Sequence, residues 1–128
     1  MVRVIPYDRT WPAQFEAEQS RLYALLPDCI CNVLHIGSTS VPDRVAKPII
    51  DILLEVRSLD EIDVQSSAMA ALGYAAHGEY GLPRRRYFTK GEPARTHHVH
   101  AYATGDSEIE RHIVFRDYLR THADVAGE

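Results

Sequence analysis

Residues 48–56, with the sequence PIIDILLEV, constrain the fold of this 128-residue chain more than any other segment. Hydrophobic side chains occupy both alternating faces of the segment, a pattern typical of a central β-strand that is covered on both sides. Asp51 is the only charged residue among its first seven positions. A buried carboxylate needs a counter-charge, hydrogen-bond donors or a metal ion. We therefore treat Asp51 as a candidate functional residue, with an ion pair to Lys47 or to an arginine as the structural alternative.

Hydrophobic periodicity and cap residues place the other elements along the chain. The predicted helix starts are Thr10, Ser58 with Glu61, and Ser107 with Glu110, and the predicted strands span residues 31–36, 48–56, 73–77, 85–90 and 96–103. The last two strands are separated by the short turn 91–93, so we expect them to form an antiparallel hairpin. The order helix, strand, strand, helix, three strands, helix predicts an α+β fold with a mixed β-sheet.

Composition and charge predict one globular domain over residues 1–128. The chain has 14 Lys and Arg against 18 Asp and Glu, so it has no global basic field and nucleic acid is not expected as a partner. No segment has the pattern of a signal peptide or approaches the roughly 20 apolar residues of a membrane span. We expect a cytoplasmic protein without a membrane partner. The sequence does not decide between a monomer and a homo-oligomer.

A run of small polar residues, Gly37-Ser38-Thr39-Ser40, follows the strand predicted at 31–36. Such a turn combines flexible backbone with three hydroxyl groups, which lets backbone N–H donors approach an anion closely. Lys47 would add a positive charge. The sequence therefore predicts a phosphate-binding turn formed by residues 37–40 with Lys47, although similar turns also connect strands without binding anything.

The predicted strand 96–103 carries two histidines, His98 and His100, on one face. Together with Asp51 and His35 they would supply imidazole and carboxylate donors that suit zinc, manganese or iron. Substrate contacts or polar packing are the alternative roles for this histidine pair.

A basic segment, residues 84–90, opens the strand before the histidine pair. Strand alternation places Arg86 and Lys90 on one face and Arg85 on the other, and Arg95 lies across the hairpin. Arginine binds phosphate with two parallel hydrogen bonds, so Arg85, Arg86 and Lys90 are candidates to hold a polyphosphate. A solvated edge strand protected by its charges is the alternative.

Five ordered segments of the chain resemble the GrpB family: HIGSTSVP, KPIIDILLEV, GLPRRRYFTK, RTHHVHAY and FRDYLRTH. The resemblance implies the nucleotidyltransferase fold shared with the DNA polymerase β superfamily, a mixed β-sheet flanked by helices. In that fold one strand ends in a Gly-Ser turn that holds a nucleotide triphosphate, and the next strand carries metal-binding acids. Gly37 and Ser38 would correspond to that turn, and Asp51 to the first metal-ligating aspartate.

The chain departs from the pattern of that superfamily at its acids. The usual second acid is Leu53 here, and the strand expected to carry a third acid has His98 and His100 instead. Two-metal phosphoryl transfer needs bridging carboxylates, and magnesium seldom binds imidazole. The resemblance thus leaves two hypotheses. One is a metal-dependent nucleotidyltransferase with Asp51, His98 and His100 as catalytic residues and Mg²⁺, Mn²⁺ or Zn²⁺ as cofactor.

The second hypothesis is a module that binds a nucleotide or another small phosphate ligand without catalysis, or that assists folding. Its basis is that related domains occur fused to dephospho-coenzyme A kinase. Two smaller departures are that residues 43–44 and Arg84 stand where the family tends to have glycine-containing turns. The family also continues into a further helical segment beyond the position of Glu128, so the resemblance implies a shortened version here.

Overall fold

The computed structural model describes residues 3–122. Within that range the helices are α1 (Trp11–Leu25), α2 (Leu59–Val64), α3 (Ser66–Ala71) and α4 (Ser107–Thr121), with a short 3-10 helix at Ser38–Ser40. The strands are β1 (Ile30–Ile36), β2 (Ile50–Val56), β3 (Tyr74–Ala76), β4 (Arg86–Lys90) and β5 (His97–Ala103). They form one mixed sheet in the order β1-β2-β5-β4-β3, in which β2 and β5 are parallel and the other neighbours antiparallel. The predicted α+β fold is confirmed.

The two sides of the sheet are covered by different helices, and β2 lies between β1 and β5. On one side, here called the α1 face, Ile52 and Leu54 pack with residues of α1, α2 and α3. On the opposite side, the α4 face, Leu53 packs with Tyr102 and with Ile109 of α4. This two-sided burial explains why the β2 segment is apolar on both faces. No helix within residues 3–122 is long and apolar enough to span a membrane.

The first residues of α2 and α4 are each stabilised by a hydrogen bond to the side chain of a cap residue. The predicted helix start at Ser58 is confirmed, because the Glu61 N–H donates to Ser58 Oγ at 3.1 Å. The helix that begins there is divided at Gln65 into α2 and α3, whereas the sequence predicted one helix between the strands 48–56 and 73–77.

The cap of α4 differs from the prediction. Asp106 is the cap residue, and its carboxylate accepts the Glu108 N–H at 3.0 Å. The capping box predicted for Ser107 and Glu110 is therefore wrong. A carboxylate one residue earlier is a charged acceptor and lies at the positive end of the helix.

The two turns at which the resemblance leads us to expect glycine have a left-handed backbone. Asp43 has a φ of 64° and Arg84 a φ of 65°, both in the region that favours glycine. Aspartate is among the side chains that tolerate this region best. The backbone of both turns is therefore left-handed although neither residue is glycine.

His35 lies on the α1 face and not beside Asp51. It pairs with Ile52 across β1 and β2, and its ring stacks on Phe15 with a centroid distance of 4.8 Å. Its Nε2 lies 2.9 Å from Thr39 Oγ1, which in turn donates to the carbonyl of Ile49. The structure therefore does not bring the predicted metal ligand His35 to Asp51, because neighbouring positions of a strand point to opposite sides of a sheet.

Burial also controls the protonation of His35. Burial lowers the pKa of His35 from 6.5 to about 4, and the positive charges of Arg120 and Arg116 contribute, while Asp51 acts in the opposite direction. The folded protein therefore contains a neutral imidazole at this position at neutral pH.

The connection from β1 to the 3-10 helix requires glycine at position 37. Gly37 has φ 73° and ψ −175°, a conformation essentially restricted to glycine. A Cβ at this position would lie 2.7 Å from Asp51 Oδ2 and 2.9 Å from Asp51 Cβ. The Gly37 backbone and the Asp51 side chain are therefore in close contact.

We expect His35→Gln to flatten the pH dependence of stability. As the pH falls below 6.5 the unfolded chain binds a proton at His35 before the folded chain does, so stability is lost progressively down to about pH 4. The loss in the wild type should exceed that in the variant by about 3 kcal/mol. Urea unfolding at several pH values between 7 and 4 measures it. Parallel pH curves for the two proteins would contradict the assignment.

We expect Gly37→Ala to lower the free energy of unfolding by roughly 2–4 kcal/mol, from backbone strain and from the clash with Asp51. Gly78→Ala is the matched control, because Gly78 also has a positive φ, 63°, but an added Cβ there meets no atom within 4 Å. The control should lose only about 1 kcal/mol. Urea unfolding measures both, and equal losses would show that the contact with Asp51 is not tight.

Candidate functional site

The parallel pairing of β2 with β5 brings Asp51 next to His98 and His100. The Asp51 and His98 backbones are directly paired. Asp51 Oδ1 lies 3.5 Å from His98 Nδ1 and 3.3 Å from His100 Nε2. The three side chains are between 17% and 28% exposed, so each reaches solvent in part. Three residues that are distant in sequence thus form one carboxylate–imidazole cluster.

Arg85 determines the hydrogen bonding of His100. The Arg85 side chain is buried, and its Nη1 lies 3.3 Å from His100 Nδ1 while its Nη2 donates to the carbonyl of Tyr80 at 2.9 Å. A guanidinium only donates hydrogen bonds, so His100 Nδ1 must accept. The ring proton of His100 then sits on Nε2 and is donated to Asp51. Arg85, predicted to hold phosphate, acts on the site through His100.

The Asp51 carboxylate is held in its ionised form. Burial acts to raise the pKa of Asp51, but hydrogen bonds from His100 and His98 outweigh it and leave the pKa below the usual 3.8. The carboxylate is therefore charged at neutral pH, and two imidazoles are hydrogen-bonded to it.

Two hollows meet at Asp51. The first, here called the α4-side hollow, has a volume of about 390 Å³, and its lining includes Gly37, Ser38, Arg44, Asp51, His98, His100, His112, Phe115 and Arg116. The second, the Lys47-side hollow, has about 550 Å³, and its lining includes Ser38, Thr39, Arg44, Lys47, Asp51 and His98. Because Ser38, Arg44, Asp51 and His98 line both, we refer to the two hollows together as the cleft.

The turn at residues 37–40 contributes unequally to the cleft. Gly37 and Ser38 line it directly. Thr39 and Ser40 are buried, and their hydroxyls donate to the backbone carbonyls of Ile49 and Gly37. Of the three hydroxyls predicted to contact a phosphate, those of Thr39 and Ser40 are hydrogen-bonded to backbone carbonyls, although Thr39 also lines the Lys47-side hollow. Ser38 is the residue of the turn that lines both hollows.

Two cations of the cleft were missed at the level of sequence. Arg44 donates from Nε to Ser38 Oγ at 3.3 Å, and Arg116 on α4 donates to the carbonyl of His35 at 3.2 Å. Both side chains also line the α4-side hollow. A signal was available for each, since Arg44 closely follows the Gly-Ser turn and Arg116 lies within the segment FRDYLRTH. Their approach to Asp51 depends on tertiary packing.

His112 and Phe115 of α4 also line the cleft, and neither was predicted as a site residue. Burial lowers the pKa of His112, and the nearby His100 lowers it further. The exposed side chain of Lys47 lies in the second hollow, as the predicted phosphate site requires.

Arg86 and Lys90 lie on the α1 face, away from the cleft. Arg86 forms an ion pair with Asp63 of α2 at 2.7 Å, and Lys90 Nζ lies 2.9 Å from the fully buried Glu18 of α1. Glu18 also accepts the Tyr74 hydroxyl at 2.6 Å. The structure does not bring Arg86 and Lys90 together with Arg85, because both form ion pairs with acids of α1 and α2 on the α1 face.

The donor groups at Asp51 do not fit a metal ion as arranged. No three His, Cys, Asp or Glu side chains among residues 3–122 are placed to hold a metal together. His100 Nε2 bears the proton that Asp51 accepts, and metal-bound histidines instead donate a proton from the other ring nitrogen. Leu53, at the position of the second acid, is fully buried in an apolar cluster. We therefore derive no metal-dependent step from Asp51, His98, His100 and His35.

Comparison with known proteins gives a family and a fold. A family model described as GrpB protein matches residues 1–128. The UPF0157 protein YqkA of Bacillus subtilis (strain 168) is 48% identical over 127 residues, which are 99% of this chain and 37% of YqkA. The chain thus spans little more than a third of that relative.

Several solved structures resemble this one. The crystal structure of the conserved protein GrpB from Enterococcus faecalis has a TM-score of 0.92 and 44% identity, covering 97% of this chain and 76% of that chain. Cid1 poly(U) polymerase, in its MgGTP-bound structure, has a TM-score of 0.61 and 12% identity, covering 96% of this chain and 41% of that chain. At 12% identity the second likeness shows the fold alone, and it confirms the predicted nucleotidyltransferase-like fold. With the family match over its whole length, the chain belongs to the GrpB family.

Proposed function

We propose that the cleft binds the phosphate groups of a nucleotide or of a similar small phosphorylated molecule. The observation that carries this proposal is that Arg44 and Arg116 line the same hollow as the Gly37-Ser38 turn. Arginine side chains and close backbone approach are the two features with which proteins most often bind phosphate. Cid1, which has the same fold, is bound to MgGTP in its structure, and this supports a nucleotide as the ligand class.

The charge balance of the cleft supports an anionic ligand. Two arginines and three histidines line the α4-side hollow with a single carboxylate, which is already hydrogen-bonded to two of the histidines. Arg116 is also paired with Asp117, at 3.0 Å, and Asp117 does not line the hollow. A volume of about 390 Å³ falls in the range of small-molecule sites. An anion would gain attraction here without being opposed by an unpaired acid.

His98 offers a further hydrogen-bonding position at the cleft. Its Nε2 is buried and has no hydrogen-bond partner within residues 3–122. Buried polar atoms are normally paired, and an unpaired one incurs a desolvation cost. A ligand group or water that reaches this nitrogen after a small ring movement would remove that cost.

Binding without nucleotidyl transfer fits the donor groups better than transfer does. Two-metal transfer requires carboxylates that bridge two ions. Leu53 is buried at the position of the second acid, and His100 donates its Nε2 proton to Asp51. We therefore propose a binding module, and nucleotide turnover is the result that would restore the enzymatic hypothesis.

Arg44→Gln is expected to weaken the binding of ATP and of inorganic tripolyphosphate by roughly 10- to 100-fold, because one charge-assisted hydrogen bond contributes about 1.5–3 kcal/mol. Isothermal titration measures both affinities. Arg57→Gln is the matched control, since Arg57 is 62% exposed and pairs with Glu61 away from the cleft. The control should bind as the wild type does. Unchanged affinity in Arg44→Gln, or no binding of either compound to the wild type, would contradict the proposal.

The same titrations test whether ATP binding requires a divalent metal ion. We expect the affinity for ATP in EDTA to lie within a few-fold of that in Mg²⁺, Mn²⁺ or Zn²⁺, because the cations of the cleft are side chains. Chromatography of the titration mixtures detects any pyrophosphate release. Binding that requires one of these ions, or pyrophosphate release that Asp51→Asn abolishes, would support the metal-dependent nucleotidyltransferase instead.

A further inference from the structure

A third hollow, larger and more apolar in its lining, adjoins the cleft along α4. It has a volume of about 1000 Å³, and its lining includes Leu82, Tyr102, Val114, Phe115 and Tyr118. Phe115 and His112 line both this apolar hollow and the α4-side hollow, so the two spaces are neighbours along α4. A ligand can therefore extend from the cationic cleft into the apolar hollow without leaving the protein surface.

Large hydrophobic side chains are unusually exposed around this third hollow. Phe115 is 62% exposed, Val114 59% and Tyr118 46%, all on α4, and Leu82 opposite them is 49% exposed. Clustered exposed hydrophobic groups in a soluble domain commonly mark a binding surface. The wide hydrophobic surface of α4 is thus used only in part for packing on the sheet, through Ile109 and Ile113.

The charges of the two hollows differ, and this difference favours the phosphates of a nucleotide in one hollow and its base in the other. Glu108 and Glu110 lie at the rim of the apolar hollow, where Arg111 is paired with Glu108 at 3.1 Å. This rim repels phosphate. The arginines Arg44 and Arg116 lie instead in the α4-side hollow. Arg116 is also paired with Asp117 at 3.0 Å, but Asp117 does not line the α4-side hollow. Phosphate groups are therefore favoured in the α4-side hollow and an uncharged flat group in the neighbouring apolar hollow.

We propose that the aromatic base of a nucleotide lies against Phe115 in the apolar hollow while its phosphates occupy the cleft. This inference rests on the proposed function and adds the position and chemistry of the nucleoside. Phe115 is the contact that distinguishes a ligand with a base from one without, because an aromatic ring stacks on a base and forms no hydrogen bond with a phosphate. Stacking accepts any base, so selectivity among bases is expected to be modest.

The test compares a ligand that has a base with one that lacks it. Phe115→Ala is expected to weaken ATP binding roughly tenfold or more, with tripolyphosphate affinity unchanged within twofold. Phe115→Leu, which keeps a hydrophobic side chain but no ring, should also weaken ATP selectively. Val64→Ala is the control, since Val64 is 76% exposed on α2 and lies outside these hollows. Isothermal titration of each variant gives both affinities.

The outcomes separate the two proposals. If the wild type binds tripolyphosphate but Phe115→Ala does not alter ATP affinity, the base position is wrong and the phosphate site stands. If Phe115→Ala weakens both compounds equally, Phe115 supports the phosphate site and does not contact a base. If Phe115→Ala leaves ATP affinity unchanged and converts a dimer into a monomer in sedimentation, the surface is a contact between copies of this chain. If the wild type binds neither compound, both proposals fail.

Discussion

The candidate site depends on the parallel pairing of β2 with β5. This pairing aligns Asp51 with His98 and holds His100 within hydrogen-bonding distance of the same carboxylate oxygen. The two strands are separated by α2, α3, β3 and β4, as a parallel connection requires a long crossover. Burial of β2 on both faces stabilises that arrangement. Asp51 lies at the end of β2 where the pairing with β5 begins, and this position places it in the cleft.

Several polar groups of the cluster around Asp51 are hydrogen-bonded to one another. Arg85 donates to His100, His100 donates to Asp51, and the backbone of Gly37 packs directly against the same carboxylate. Each contact restricts the position of the next. Such a connected network specifies one arrangement of polar groups. Because Nδ1 of His100 accepts from Arg85 and Nε2 donates to Asp51, neither ring nitrogen of His100 is available to a metal ion.

The position of α4 adds the parts of the site that were not predicted. Ile109 and Ile113 pack against the sheet, and this brings Arg116 and His112 to the rim of the cleft. The same orientation leaves Phe115 exposed beside them. One helix thus supplies Arg116 to the α4-side hollow and the ring of Phe115 to the neighbouring apolar hollow. The proposed base contact would use hydrophobic residues of this helix that do not pack on the sheet.

Local pattern was sufficient for much of the fold. The two-sided hydrophobic character of residues 48–56 predicted a central strand, and strand alternation correctly grouped Arg86 with Lys90 and separated them from Arg85. The same alternation placed His98 and His100 on one face. It also separates His35 from the Asp51 cluster once the pairing of β1 with β2 is known. The spacing of residues in the sequence predicted which side chains share a strand face. It did not predict which helices cover that face.

The sequence by itself determined the order of elements, the central strand and the residues that share each strand face, because these follow from local backbone geometry and the period of two. The tertiary structure alone decided that Arg86 and Lys90 pair with Asp63 and Glu18 on the α1 face, and that Arg44, Arg116 and Phe115 meet at the cleft. These contacts join segments far apart in the chain. They depend on which helix covers which side of the sheet, and hydrophobic packing over the whole domain sets that choice.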